Sequence, residues 1–198
     1  MKILFAAPDR DLLECCKKLL EDDFGEVVTA FDGTQVLSLL SSEKFDAAIL
    51  DEAIPRIGFE KLIARMRETE LPVIGLINEP ISVHRLVGEN VANAYISYPF
   101  NVEDLAKKIG DTVEKAASGE KFDFFGLEID VARFRMTGGP YLTAKETDVL
   151  KSLLNGETLT DDEGAQISAL NLKLSGVGSK TTITYIAKKG FETVTRDE

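Results

Sequence analysis

Five times within its first 115 residues the chain alternates a short apolar run with a stretch of helical period: 3–7 then 9–21, 27–30 then 34–40, 47–50 then 59–67, 73–77 then 83–89, and 95–97 then 102–115. The apolar runs are too short for buried helices and lack the in-out alternation of a half-solvated sheet, so they read as strands covered on both faces. Helical segments between such strands serve as crossovers, and the arrangement that accommodates them all is an α/β fold, a doubly wound five-stranded parallel sheet. Asp32, just ahead of 34–40, is the expected N-cap of the second helix.

In an open parallel sheet, chemistry collects outside the carboxyl ends of the strands. The third run, Ala47-Ala48-Ile49-Leu50, delivers Asp51 to that edge, followed by Glu52-Ala53-Ile54-Pro55. Asp51 is therefore the leading candidate site residue. The same edge holds Ala7, Pro8 and Asp9 after the first run, Ile77 at the end of the fourth and Tyr98 after the fifth. His84 is the only histidine, so neither a Ser/His nucleophile pair nor a histidine metal cluster can be built. Asp51 with Asp9 as a hydrolytic carboxylate pair lacks a metal or oxyanion donor. No catalytic residue, metal or cofactor is expected, and the chain does not read as an enzyme.

Cys15 and Cys16 are the only cysteines; vicinal thiols cannot staple a fold, and Cys16 falls on the apolar stripe with Leu13 and Leu20. No run reaches 18 apolar residues, and the opening Met1–Ala7 meets Pro8 and Asp9 too soon for a signal peptide. The expectation is a cytoplasmic chain with no membrane partner.

After a small, polar stretch at 116–121 the pattern changes. Residues 127–131 and 134–136 alternate as half-buried strands, Gly138-Gly139-Pro140 turns the chain, and Thr143-Ala144-Lys145-Glu146 is a capping box ahead of Val149, Leu150, Leu153 and Leu154. A second box, Thr160-Asp161-Asp162-Glu163, precedes a helix at 166–174, and 182–187 with 188–194 reads as a closing hairpin. A few helices with small sheets suggest a small α+β domain of winged-helix type. The expected boundaries are 1–118 and 122–198.

These motifs carry a resemblance. Lys2-Ile3-Leu4, Ile49-Leu50-Asp51 with Pro55 beyond it, and Tyr98-Pro99-Phe100 make residues 1–118 similar to a response-regulator receiver domain. Phe125-Gly126-Leu127-Glu128-Ile129-Asp130, Leu142-Thr143-Ala144-Lys145-Glu146, and Ile183 with Gly190-Phe191 resemble the winged-helix effector domain of the OmpR/PhoB subfamily. The resemblance implies phosphorylation of Asp51 with the help of Mg²⁺, a receiver homodimer and a DNA-reading helix. It also implies a cis bond before Pro99, with the Tyr98 ring directed at Asp51.

The departures are concentrated at the phosphoacceptor pocket. Ala7 and Pro8 stand where the family has two acidic metal ligands; Asp9 is acidic but falls one place later, where a first-turn carboxylate on a helix is the plainer account. The family's hydroxyl is Ile77 and its lysine is Tyr98. Phosphoryl transfer to a carboxylate needs cations and donors around the phosphoryl oxygens, and this pocket has lost them. Asp51 with Asp9, Ala7, Pro8, Ile77 and Tyr98 is accordingly expected to form a degenerate pocket. The candidate dimer face is Val83, Leu86, Val87, Leu105 and Lys107.

In the second domain one helix stands where the family has two. Gln166, Asn171 and Lys173 on that helix, with Lys180, Lys188 and Lys189, are the candidate DNA contacts, since Asn and Gln can pair with adenine. Charge argues the other way. Residues 1–118 carry 13 Lys+Arg against 21 Asp+Glu and residues 119–198 carry 10 against 13, whereas a duplex binder draws most of its affinity from neutralising phosphates. Two readings stay open: a phosphorylation-independent transcriptional regulator that binds double-stranded DNA weakly as a dimer, and an adaptor that works through a protein partner.

Overall fold

Strands β1 (Lys2–Ala6), β2 (Glu26–Ala30), β3 (Ala47–Asp51), β4 (Val73–Ile77) and β5 (Ala94–Ser97) form one parallel sheet in the order β2-β1-β3-β4-β5. The computed structural model describes residues 1–78, 92–131, 134–137, 139–142, 144–157, 159, 166–186 and 190–195, so the expected helix at 83–89 lies outside the described residues. Side chains alternate across the strands as the pleat requires. Leu4, Ala48, Leu50, Val73 and Ile77 face helices α2 (Gly33–Ser42) and α3 (Phe59–Glu68). Ile3, Phe5, Ile49, Ile74 and Leu76 face α1 (Arg10–Phe24) and α4 (Val102–Ser118). Every residue of β3 and β4 is buried, as a central strand between two helical layers must be. Each large aliphatic side chain so placed contributes about 1.5–3 kcal/mol.

Local signals set the helix starts. Asp9 caps α1 by accepting the Leu12 N–H at 3.1 Å, and Asp32 caps α2 by accepting those of Thr34 and Gln35 at 2.8 and 3.0 Å. Cys16 is buried on α1 and Cys15 exposed. Burial, and then the adjacent Cys15, push the Cys16 thiol up to about 11, which leaves it a small apolar filler.

The chain divides into two compact units, Met1–Ser118 and Gly119–Glu198. The second opens on an antiparallel meander, β6 (Lys121–Phe124), β7 (Leu127–Asp130) and β8 (Arg135–Met136). Helices α5 (Ala144–Leu154) and α6 (Ile167–Gly176) follow, then the antiparallel pair β9 (Thr181–Ile186) and β10 (Gly190–Thr195). Phe124, Ile129, Met136, Leu142, Val149, Leu150, Leu170 and Leu174 make its core. The small α+β character matches the sequence reading. The connection within the polar stretch at 116–121 is short: α4 continues through Ser118 and Lys121 already begins a strand whose Phe124 is buried, leaving Gly119 and Glu120 between them. Ala116 and Ala117 favour helix, and the two-residue spacing of Phe122 and Phe124 favours strand. The second capping box, 160–163, lies outside the described residues.

Candidate functional site

Asp51 ends β3 with its side chain 4% exposed. A buried carboxylate needs hydrogen-bond donors, and it has two. Tyr98 Oη donates to Asp51 Oδ2 at 2.6 Å, and the Ala53 backbone N–H donates to Oδ1 at 2.7 Å. Tyr98 reaches this position from just beyond β5, where its own N–H donates to the Ile77 carbonyl at 2.9 Å and its bond to Pro99 is cis. The ring packs on Phe100 at 5.0 Å between centroids. Burial, and then the hydrogen bond to Asp51, push the Tyr98 phenol well above its ordinary value, so it remains a neutral donor.

The other expected pocket residues add no cation. Ala7 and Ile77 are fully buried in opposite core layers, Pro8 is exposed, and Asp9 spends a carboxylate oxygen on its helix cap. The receiver resemblance implies a divalent cation beside Asp51. Ala7 and Pro8 offer no side-chain ligand and both Asp51 oxygens are engaged, so these residues do not fit such an ion. Among the described residues no group of three His, Cys, Asp or Glu side chains is placed to hold a metal.

The loop after Asp51 is tied down rather than open. The Ile57 N–H donates to the Pro55 carbonyl at 3.0 Å around Arg56, whose φ of 72° marks a γ-turn of the strained hand. The Pro55 carbonyl also accepts the Gly33 N–H at 3.0 Å, and Arg56 Nε lies 3.3 Å from Asp32 Oδ2. Asp32 thus caps α2 and anchors this loop, a role that its position alone did not reveal.

In the second unit the expected DNA contacts separate. Asn171 was expected to face a groove; instead its Nδ2 donates to the Ile183 carbonyl at 2.8 Å and its Oδ1 accepts the Ile183 N–H at 2.9 Å. Lys173 was expected as a free cation; its ammonium instead donates to both oxygens of Glu146, at 2.8 and 2.6 Å, and Glu146 is 1% exposed. Both residues flank the apolar seam Ile167, Leu170 and Leu174, and their partners wait in distant parts of the sequence. Gln166 sits at the N-cap position of α6 without capping it, and Lys180 is exposed. Lys188 and Lys189 lie outside the described residues. Two further cations are engaged within this unit, Lys121 with Glu128 at 2.8 Å and Lys151 with Glu120 at 2.7 Å. What α6 exposes is Ser168, Ala169, Leu172, Ser175 and Gly176, with Leu172 77% exposed.

The candidate dimer face needs one correction. Leu105 is 0% exposed and packs into the first unit's core with Ile109, following the four-residue spacing of an amphipathic helix, so it has no surface to offer a partner. Lys107 is exposed on α4 beside a cleft of about 490 Å³ that also involves Tyr95, Ser97 and Asp104. Val83, Leu86 and Val87 lie outside the described residues.

No family model matches the chain. It is 36% identical over 110 residues to the transcriptional regulatory protein CpxR of Escherichia coli K12, a match covering 54% of this chain and 47% of CpxR. It is 26% identical over 165 residues to the response regulator MprA of Mycobacterium avium, covering 78% of this chain and 72% of MprA. The chain thus spans about half the length of the CpxR relatives it matches. Among solved structures, the chemotaxis response regulator CheY4 of Vibrio cholerae superposes with a TM-score of 0.51 at 25% identity, over 56% of this chain and 96% of that one. A cysteine-to-aspartate variant of RitR matches with a TM-score of 0.65 at 19% identity over 98% of this chain and 99% of that one, a likeness of fold. The sequence relatives are response regulators, and the first unit has the flavodoxin-like fold of their receiver domains.

Proposed function

We propose that the chain is a transcriptional regulator of the OmpR/PhoB type whose receiver unit works without phosphotransfer. One observation carries this reading: Tyr98, standing where the family has its lysine, donates Oη to Asp51 Oδ2 at 2.6 Å, so the carboxylate is paired with a neutral phenol and not with a cation. A phosphoryl group there would bring negative charge to a pocket whose Ala7, Ile77 and Tyr98 supply no cation, at a cost of several kcal/mol. Asp51 serves instead as the acceptor that holds Tyr98, and with it the end of β5. In this reading the chain is cytoplasmic, residues 122–198 form a shortened winged-helix domain, the receiver units pair, and duplex DNA is bound weakly. Incubation with Mg²⁺ and acetyl phosphate followed by intact-mass measurement tests the central point. No added phosphate is expected; a stoichiometric gain that disappears in Asp51→Asn refutes it.

A second reading, an adaptor acting through a protein partner, draws support from α6. Asn171 and Lys173 are turned inward and the exposed side of the helix, with Leu172 at its middle, carries no charge. Phosphate neutralisation gives DNA binding a steep salt dependence, and a protein contact through uncharged side chains has little. Fluorescence anisotropy with duplex DNA at 50 and 200 mM salt separates the two: binding that falls at least tenfold supports the regulator, and none at either salt supports the adaptor.

A further inference from the structure

Gly75 is out of place in β4. Its neighbours Val73, Ile74, Leu76 and Ile77 are bulky and fully buried, and a glycine in a strand interior forfeits packing unless something approaches its backbone. Something does. A Cβ added at Gly75 would stand 2.8 Å from Cδ1 and 2.9 Å from Cε1 of Tyr95, and 2.9 Å from Cζ of Phe59. Gly75 and Tyr95 are direct partners in the β4–β5 register, and the Tyr95 ring joins the core layer that contains Phe59, Val73 and Ile77. From this seat Tyr95 Oη accepts the Ala92 N–H at 2.7 Å. The next residue, Asn93, is already paired to β4, its N–H donating to the Val73 carbonyl at 2.8 Å and its Oδ1 accepting the Val73 N–H at 2.8 Å.

We infer that Gly75 and Tyr95 form a built-in latch: the side chain missing at Gly75 gives the Tyr95 ring one inward seat, and from it the hydroxyl pins the residues just ahead of β5. Residues 75, 77 and 95 lie on the same face of the sheet, where Ile77 offers Tyr95 only an apolar neighbour. The position of the ring is therefore set by a steric vacancy in the strand, not by chemistry at Asp51. This deepens the phosphorylation-independent reading and rests on it: the first unit holds a single arrangement of its β5 edge without a signal at the carboxylate. Ring atoms close to the Tyr95 backbone cannot swing clear of a new Cβ without moving the whole side chain, so Gly75→Ala unseats the latch.

Amide hydrogen exchange of the full chain reads this directly. Tyr95→Phe keeps the ring and removes the acceptor, and it is expected to speed exchange at Ala92 by about tenfold while leaving Ala53, bonded to Asp51, unchanged. Gly75→Ala is expected to do the same by displacing the ring. Because Gly75→Ala strains a buried strand, Tyr95→Phe decides: Ala92 exchange within twofold of the unmodified protein overturns the latch. The same measurement after Mg²⁺ and acetyl phosphate separates the two ideas. Phosphate gain with unchanged Ala92 exchange removes the phosphorylation-independent reading and leaves the latch; phosphate gain that alters Ala92 exchange removes both.

Discussion

Asp51 in the first unit and Glu146 in the second are both buried carboxylates, at 4% and 1% exposure, and the chain satisfies them in opposite ways. Asp51 takes a neutral phenol and a backbone N–H; Glu146 takes a lysine ammonium on both oxygens. A neutral donor satisfies the carboxylate at the edge of the sheet without bringing a cation to it. An ammonium cancels the charge and ties two helices together, but the cation is then lost to any other partner. The first arrangement leaves Asp51 paired without a cation, and the second shows why a lysine on α6 does not serve as a surface cation.

The comparison predicts unequal costs of disruption. Lys173→Met strands Glu146 without its cation and should lower stability by about 3–5 kcal/mol, read by urea unfolding of the second unit. Pairing it with Glu146→Leu should restore most of that loss, since two apolar side chains remove the buried charge altogether; a double variant as unstable as the single would show that Glu146 supports the fold by more than the ion pair. Tyr98→Phe removes one hydrogen bond to a carboxylate and should cost less, about 1.5–3 kcal/mol, in urea unfolding of the first unit. Asn171→Ala, which leaves the Ile183 N–H and carbonyl unpaired with no charge at stake, should cost about 1–3 kcal/mol and raise exchange of the Ile183 amide.

The smallest effect is a pH dependence. The Gln35 N–H first, with that of Thr34 and the Arg56 guanidinium, holds the Asp32 carboxyl below the usual carboxylate range. A depressed folded value contributes stability that is present above the unfolded value of about 3.9 and lost as pH falls through the folded one. Asp32→Asn keeps a cap but cannot titrate, so it should flatten thermal stability against pH in that acid window.

Much of the first unit was legible because its signals are local. The five apolar runs, the Asp32 cap and the arrival of Asp51 at a strand end follow from residues adjacent in sequence, whereas Asp9, read as a first-turn carboxylate, is the N-cap one place earlier. The Tyr98–Asp51 hydrogen bond was legible for another reason: once the lysine position holds a tyrosine on a fixed scaffold, its hydroxyl is directed at the Asp51 carboxylate. Asn171 and Lys173 were not legible, because their partners Ile183 and Glu146 lie 12 and 27 residues away and no periodicity encodes that pairing. Leu105 was misassigned although its signal was present; the spacing of Leu105, Ile109 and Thr112 marks the core seam of α4. Gly75 was visible too, as the one residue without a side chain in a strand of five.

The Asn171 contact also bears on the outer edge of the β9–β10 ribbon. A two-stranded ribbon such as β9–β10 exposes peptide groups along its outer edges, and an unpaired edge is a template on which another chain can add a strand. At Ile183 the carboxamide of Asn171 presents one donor and one acceptor in the way a neighbouring peptide unit would, so that site on β9 is already filled by a counterfeit strand one residue long. Only an amide can do this: Asn171→Asp supplies no donor for the carbonyl and would reopen that rung of the ladder, converting a residue expected to read DNA into one whose loss is felt as aggregation.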